Sequence, residues 1–154
     1  MKRLIYILLC ATIGLLPAHA NIIFEKFANE KNVTYINVSK SLLSMMDGQL
    51  EMETLDLKSV VDELDRIQIL TCEDDVKLIE RIRQEAVAVF QKSPYEELMR
   101  VKDNDETVIF YSLPQSEGKI KELILMVDEN NGEFVLIQLS GNISISKLKN
   151  LTAQ

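Results

Sequence analysis

The stretch KIKELILMVDENNGEFVLIQLS, residues 119–140, carries two long apolar runs on either side of Asn131-Gly132. Asn-Gly is the dipeptide that two-residue type I′ turns prefer between antiparallel strands. The stretch therefore predicts a β-hairpin with strands 119–130 and 133–140. A two-residue loop would place these residues on one face: Leu123, Leu125, Val127, Phe134 and Leu136. It would place these on the other: Ile124, Met126, Val135, Ile137 and Leu139. Because both faces are apolar, we expect both to be covered.

A second pair of strands lies directly before this hairpin. Residues 96–102 and 107–113 have the period of β-strands and flank a polar turn at 103–106. Together the four strands predict a four-stranded antiparallel meander.

The two faces of the second hairpin differ in composition. One face is apolar and carries Met99, Val101, Val108 and Phe110. The other is mixed and carries Leu98, Arg100, Lys102, Ile109 and Tyr111. If helices cover only one face of the sheet, the other is a candidate docking surface. We name three residues of the mixed face as its possible contacts: Leu98, Ile109 and Tyr111.

The chain before the meander reads as helices with short strands between them. The apolar spacing predicts a short helix within 21–32, a strand at 33–38 and a helix after Ser39. Leu57, Val60, Val61 and Leu64 lie at helical spacing behind Asp56, which predicts another helix with Asp56 as its N-cap. A strand at 67–71 follows, and then a long helix that has the acidic run 73–75 at its start and extends to about Lys92. After the meander, Ser144 is a candidate cap for a C-terminal helix. The predicted class is α+β.

The first 20 residues have the three parts of a secretory signal peptide. Lys2 and Arg3 precede an apolar run that ends in Ala18-His19-Ala20. The run is too short to cross a bilayer, so we expect cleavage between Ala20 and Asn21 and no transmembrane span in the mature chain. Cys10 follows Leu8-Leu9, where a lipoprotein peptidase needs a small residue, which argues against a lipid anchor. We expect a single exported domain, residues 21–154, in the periplasm or associated with the envelope.

Cleavage would change the inventory of reactive side chains. The whole chain has 17 basic and 24 acidic residues, one His and two Cys. The mature chain would keep 15 basic residues and all 24 acids, for a net charge of −9, with no His and only Cys72. This inventory excludes His-dependent triads, His-bearing zinc sites, CxxC chemistry and an intramolecular disulfide. The acidic balance argues against nucleic acid as a partner.

The acidic runs read as local structure rather than as metal sites. Residues 103–106 and 128–131 lack the glycine and the distant glutamate of an EF-hand loop, so turn formation explains them. Residues 73–75 place negative charge at the start of the long helix. No Gly-rich phosphate loop occurs. We therefore expect no catalytic, cofactor or metal site, and no enzyme activity.

Five segments carry a resemblance to a known family: YINVSKSLLSMM (35–46), LDLKSVVDELDRIQILTCED (55–74), YEELMRVKDNDETVIFY (95–111), KIKELILMVDE (119–129) and FVLIQLSGNISISKLKNL (134–151). In this order they resemble the bacterial exported family catalogued as domain of unknown function 4252. The resemblance implies a small exported protein of Bacteroidetes-type bacteria. Genes of the family beside extracytoplasmic-function sigma factors imply a role linked to envelope stress. The family offers no catalytic motif to transfer.

The sequence favours two functions over a third, a hydrolase that works through a pair of carboxylates, because no spacing singles out such a pair. The first is a non-enzymatic envelope interaction module, which would bind an envelope protein through a sheet face or edge. The second is a carrier of a lipid or another apolar ligand held between sheet and helices. The sequence gives neither the identity of the partner nor the oligomeric state.

Overall fold

The computed structural model describes residues 19–46, 51–52, 55–57, 59–92, 94–130 and 132–148. Its helices are α1 (His19–Phe27), α2 (Lys40–Met45), α3 (Val76–Phe90) and α4 (Ile145–Leu148), with a 3₁₀ helix at Val61–Glu63. Its strands are β1 (Val33–Ser39), β2 (Glu51–Met52), β3 (Leu55–Asp56), β4 (Leu64–Glu73), β5 (Glu96–Lys102), β6 (Glu106–Ser116), β7 (Lys119–Glu129) and β8 (Glu133–Ser144). Most of the predicted signal peptide, residues 1–18, lies outside the described residues.

The main sheet has six strands, so the predicted four-stranded meander is wrong, although the class is still α+β. Its order is β1-β4-β8-β7-β6-β5, and every neighbouring pair is antiparallel. The predicted meander is β5 to β8, and β4 and β1 extend it beyond β8. Strand β8 pairs with β7 along one edge and with β4 along the other. This central position is typical of a strand that has apolar residues on both faces.

The segment before β4 is not the predicted α-helix. Residues 59 and 60 form a turn, Val61–Glu63 forms a single 3₁₀ helix, and Leu64 already belongs to β4. Asp56 ends the short strand β3 and is not a helix N-cap. Leu57, Val60 and Leu64 are nevertheless fully buried. The helical spacing correctly indicated burial, but the close approach of this segment to β8 sets its backbone.

The hairpin of β7 and β8 has a different register from the one predicted. Glu129 is paired with Glu133, so three residues form the loop, and Gly132 has a φ of +99°. A loop that is one residue longer moves every side chain of one strand to the opposite face of the hairpin relative to the other strand. Leu125 therefore shares a face with Ile137, and Met126 shares the opposite face with Leu136.

Two apolar layers cover the two faces of the sheet. On one face, α1 and α3 pack over Leu70, Cys72, Met126 and Leu136, among others. On the other face, α2, the 3₁₀ segment and α4 contribute residues to a second core around these residues: Ile67, Leu123, Leu125, Ile137 and Leu139. No helix among the described residues is long and apolar enough to cross a membrane.

Polar contacts fix the helix layer on the sheet. The Asp75 carboxylate accepts from the backbone N–H of Leu78 at 3.0 Å, which caps α3 and holds the pKa of Asp75 below its ordinary value. Lys26 of α1 pairs with Glu85 of α3 at 2.6 Å. Arg83 donates two hydrogen bonds of 2.6 Å to the Asp128 carboxylate. These contacts tie α1 to α3, and α3 to β7.

Candidate functional site

The three predicted docking residues do not lie on one accessible surface. Ile109 and Tyr111 lie beneath the helix layer and are 2% and 1% exposed, whereas Leu98 is 52% exposed. The Tyr111 ring stacks on Phe90 of α3 at a centroid distance of 5.8 Å. The helices cover the mixed face of this hairpin because its central residues are large and apolar.

The accessible apolar surface lies on the opposite face of the same hairpin. Met99 pairs with Phe110, and Val101 pairs with Val108, as the sequence pattern predicted for one apolar face. Met99 is 40% exposed and Val101 is 51% exposed, while Phe110 and Val108 are half-buried. We call these four residues the β5–β6 apolar patch.

The β5–β6 apolar patch is continuous with the second core. Phe110 pairs with Leu125 of β7, and Val108 pairs with Val127, and both β7 residues are buried. The apolar surface thus begins in the core and emerges at β5, an edge strand whose residues are all exposed. A sheet face that is covered at its centre and open at one edge is suited to contact with another apolar surface.

Charged groups border the patch. Asp103 and Asp105 lie in the turn after β5, and Glu106 begins β6. The Asp103 carboxylate accepts from the backbone N–H groups of Asp105 at 2.8 Å and Glu106 at 3.0 Å, and these bonds hold its pKa below the ordinary value. Asp103 therefore stays ionised while it shapes the turn. This acidic run serves the turn, and it places negative charge two residues from Val101.

A second feature, which the sequence interpretation missed, is a set of polar side chains buried within the sheet. Glu122 and Gln138 are each 2% exposed. The Tyr95 hydroxyl donates to Glu122 Oε2 at 2.7 Å. Burial, followed by this hydrogen bond, raises the pKa of Tyr95, so the phenol remains protonated. The Oε1 atom of Gln138 has no hydrogen-bond donor among the described residues.

Glu122 and Gln138 line a small cavity at the N-terminal end of α1. The cavity has a volume of about 200 Å³. Its lining is polar and includes Asn21, Arg66, Lys121, Glu122, Gln138 and Ser140. Neither Arg66 nor Lys121 forms an ion pair with Glu122. A glutamate and a glutamine at strand positions between apolar neighbours were the available sequence signal. Such residues are rarely buried without a partner.

Neither the cysteine nor the acidic side chains of the described residues are arranged as a reactive or metal-binding site. Cys72 is fully buried in the helix-layer core, and burial raises the pKa of its thiol, which disfavours a reactive thiolate. The described residues contain no cluster of three or more His, Cys, Asp or Glu side chains that could hold a metal ion. A second cavity, lined in part by Asn32, Thr34, Thr71 and Glu73, is also polar.

Comparison with known proteins agrees with the sequence resemblance. The model of the family described as "Domain of unknown function (DUF4252)" matches residues 25–151. No curated protein and no solved structure is significantly similar to the chain.

Proposed function

Because the chain belongs to the domain of unknown function 4252 family, we propose that it is an exported, non-enzymatic interaction module of the bacterial envelope. It is cleaved between Ala20 and Asn21 and binds a protein partner through the β5–β6 apolar patch. The family itself defines no activity, so the proposal rests on the surface of this chain. The proposal includes a link to envelope stress signalling, which the family resemblance implies.

The observation that carries the proposal is the exposure of Met99 and Val101 beside half-buried Phe110. Full burial of a valine or methionine side chain contributes about 1.5–3 kcal/mol. Two such residues on one rigid strand pair can therefore supply much of the binding energy of a small contact. Their positions at the edge of the sheet leave room for a partner to cover them without a change in the fold.

The charge beside the patch defines the chemistry of the partner. The acidic turn at 103–106 borders the patch, and the whole chain carries a net charge of −7. An approaching surface is favoured if it combines an apolar centre with basic side chains at its rim, because the rim charges steer the encounter. We therefore commit to a protein partner with that surface.

Site-specific photocrosslinking in the exported protein tests this proposal. A benzophenone amino acid replaces Val101 in one strain and Val76 in another, since Val76 is also exposed but lies at the start of α3. We expect a discrete protein adduct from position 101 that is absent at position 76. Changing Met99 to Asp should reduce that adduct at least fivefold. Equal labelling at both positions, or an adduct that survives M99D, would contradict the proposal.

The alternative function, a carrier of an apolar ligand, has no specific observation in its favour. The two cavities described above are lined mainly by polar and charged side chains. An alkyl chain in either cavity would desolvate those groups without replacing their hydrogen bonds.

A further inference from the structure

The cavity at the start of α1 holds a buried carboxylate that lacks a cation among the described residues. Glu122 is only 2% exposed, and among the described residues the Tyr95 hydroxyl donates a hydrogen bond to it. Burial of an ionised carboxylate costs several kcal/mol unless opposite charge or several donors compensate it. Something other than Arg66 and Lys121, which line the cavity without pairing to Glu122, is therefore expected to supply that charge.

One residue of the predicted cleavage site lines the cavity together with this carboxylate. Asn21 lines the cavity together with Glu122 and Gln138. Ala20 is fully buried, and a hydrogen bond from its backbone opposes the rise in the pKa of Tyr95. The two residues of the predicted scissile bond thus lie beside linked polar groups: Ala20 is at Tyr95, and Asn21 is at the cavity that holds Glu122, the acceptor of the Tyr95 hydroxyl.

We propose that the cavity is the binding site of the α-ammonium group that signal-peptide cleavage creates on Asn21. Hydrolysis of the Ala20–Asn21 amide consumes one water and gives a carboxylate on Ala20 and an amine on Asn21, which takes up a proton near neutral pH. Departure of Ala20 removes the backbone N–H that reaches Tyr95 and opens the space its methyl group filled. The new ammonium group has three donors and enters that space.

The acceptors in the cavity match those three donors. The Glu122 carboxylate supplies the negative charge, and Gln138 Oε1, which lacks a donor among the described residues, supplies a second acceptor. Tyr95 Oη, freed from Ala20, supplies a third. The first turn of α1 contains no acidic residue of its own. Because the positive end of the helix dipole disfavours a cation there, Glu122 is the group that makes a buried ammonium stable.

The site also makes maturation detectable in the folded protein. The inference rests on the cleavage stated under the proposed function, and it adds a structural consequence: the mature N-terminus is fixed to the sheet rather than free. The other titratable groups that line the cavity are Asp65, Arg66 and Lys121. Arg66 and Lys121 repel the ammonium, whereas Asp65 is already engaged by Lys40 at 2.7 Å. Glu122 is therefore the group on which the effect depends.

Competitive labelling of the α-amine with trace acetic anhydride, as a function of pH, tests the inference on the protein purified after export. An ordinary α-amine titrates at about 7.7–8.0. We expect at least a tenfold higher proton affinity, which corresponds to a pKa of about 9 or more. Glu122→Gln should return the pKa to its ordinary value. Glu117→Gln, which alters an exposed carboxylate in the β6–β7 turn, should leave it raised.

A variant with Gly-Ser inserted after Ala20 separates docking from a general effect of the fold. It keeps the cleavage site but moves the amine two residues away, so its amine should titrate at the ordinary value. This comparison needs no change in Glu122 and decides the matter if Glu122→Gln fails to fold. An ordinary pKa for the Asn21 amine would overturn the inference. The mass of the exported chain separately shows whether it begins at Asn21, and a chain released at Asn21 from a removable tag allows the titration if it does not.

Discussion

Replacement of Gly141 by alanine is expected to destabilise the protein through one close backbone approach. Gly141 lies in β8 opposite the segment that precedes β4. A Cβ atom at this position would be 2.1 Å from the carbonyl oxygen of Glu63 and 3.0 Å from the Cα of Leu64. Non-bonded contacts are most favourable at about 3.5–4.0 Å, so an alanine Cβ would force the two segments apart by roughly 1 Å or more. Both obstructing atoms belong to the backbone and cannot rotate away.

The cost has two parts. Overpacking of a close contact typically costs about 1–3 kcal/mol. Separation of the segments also strains two hydrogen bonds of the Glu63 carboxylate, from the Ser144 backbone N–H at 2.7 Å and from the Ser144 hydroxyl at 2.9 Å. Hydrogen bonds to a charged group contribute about 1.5–3 kcal/mol each. We expect a total loss of about 3–4 kcal/mol for Gly141→Ala, since part of each bond should survive.

Gly132→Ala is the matched control. Gly132 has a φ of +99°, but a Cβ there meets no atom of the described residues within 4 Å. Its cost is therefore backbone strain alone, about 1–2 kcal/mol. Urea denaturation of both variants, followed by circular dichroism, measures the difference in the free energy of unfolding. A smaller loss for Gly141→Ala than for Gly132→Ala would refute the reasoning. In the Gly141→Ala background, Glu63→Gln should lose much of its own effect, because both changes act on the same contact.

Three further changes probe separate contacts. Arg83→Met should lower the free energy of unfolding by about 1 kcal/mol, because it removes a bidentate but partly exposed ion pair with Asp128. A double-mutant cycle with Asp128→Asn, measured by urea denaturation, gives the coupling energy of the pair. Strictly additive losses would contradict the prediction. The hydrogen bond from the Ser144 backbone N–H is the main reason that the pKa of Glu63 lies below its ordinary value, and the nearby Lys147 lowers it further. Ionised Glu63 therefore stabilises the fold above its unfolded pKa of about 4.3, and this contribution is lost as the pH falls through its folded pKa. Glu63→Gln should therefore lower stability by about 1 kcal/mol at pH 7 and hardly at all at pH 2–3, and an equal loss at both values would argue against the assignment. Cys72 should react with a thiol reagent only as fast as the protein unfolds globally, since it is fully buried; rapid labelling under native conditions would show local opening instead.

The C-terminal half of the fold could be predicted from local pattern alone. Four strands, their order along the meander and the shared face of Met99 and Val101 follow from a period of two and from short connections. The long helix α3 was also predicted, because an acidic run precedes it and its apolar residues share one face. In these segments each residue's partners lie nearby in sequence.

Non-local pairing explains what the sequence did not reveal. Strand β4 joins β8 across about 70 residues of sequence, as in the pair Ile69 and Ile137. No local pattern encodes such a partner, and the apolar spacing of Leu57 and Val60 fits a helix as well as a turn that is pressed against β8. The register of the β7–β8 hairpin failed for a smaller reason. Whether a loop around Asn-Gly has two or three residues changes which face every side chain of one strand occupies.

The docking surface shows how an incorrect face assignment changes a functional prediction. Ile109 and Tyr111 share a strand face with Arg100, so the local pattern marked that face as mixed and accessible. In the fold, α1 and α3 cover the interior of that face, and its long charged side chains lie at the edge strand, where they reach solvent past the buried apolar residues. The uniformly apolar face of Met99 and Val101 was not among the named docking residues, yet it is the face that is open at β5. An apolar edge without a cover in the described part of the chain is a liability that monomeric proteins usually avoid. Its presence beside an acidic turn is therefore better explained by a partner than by packing within the chain.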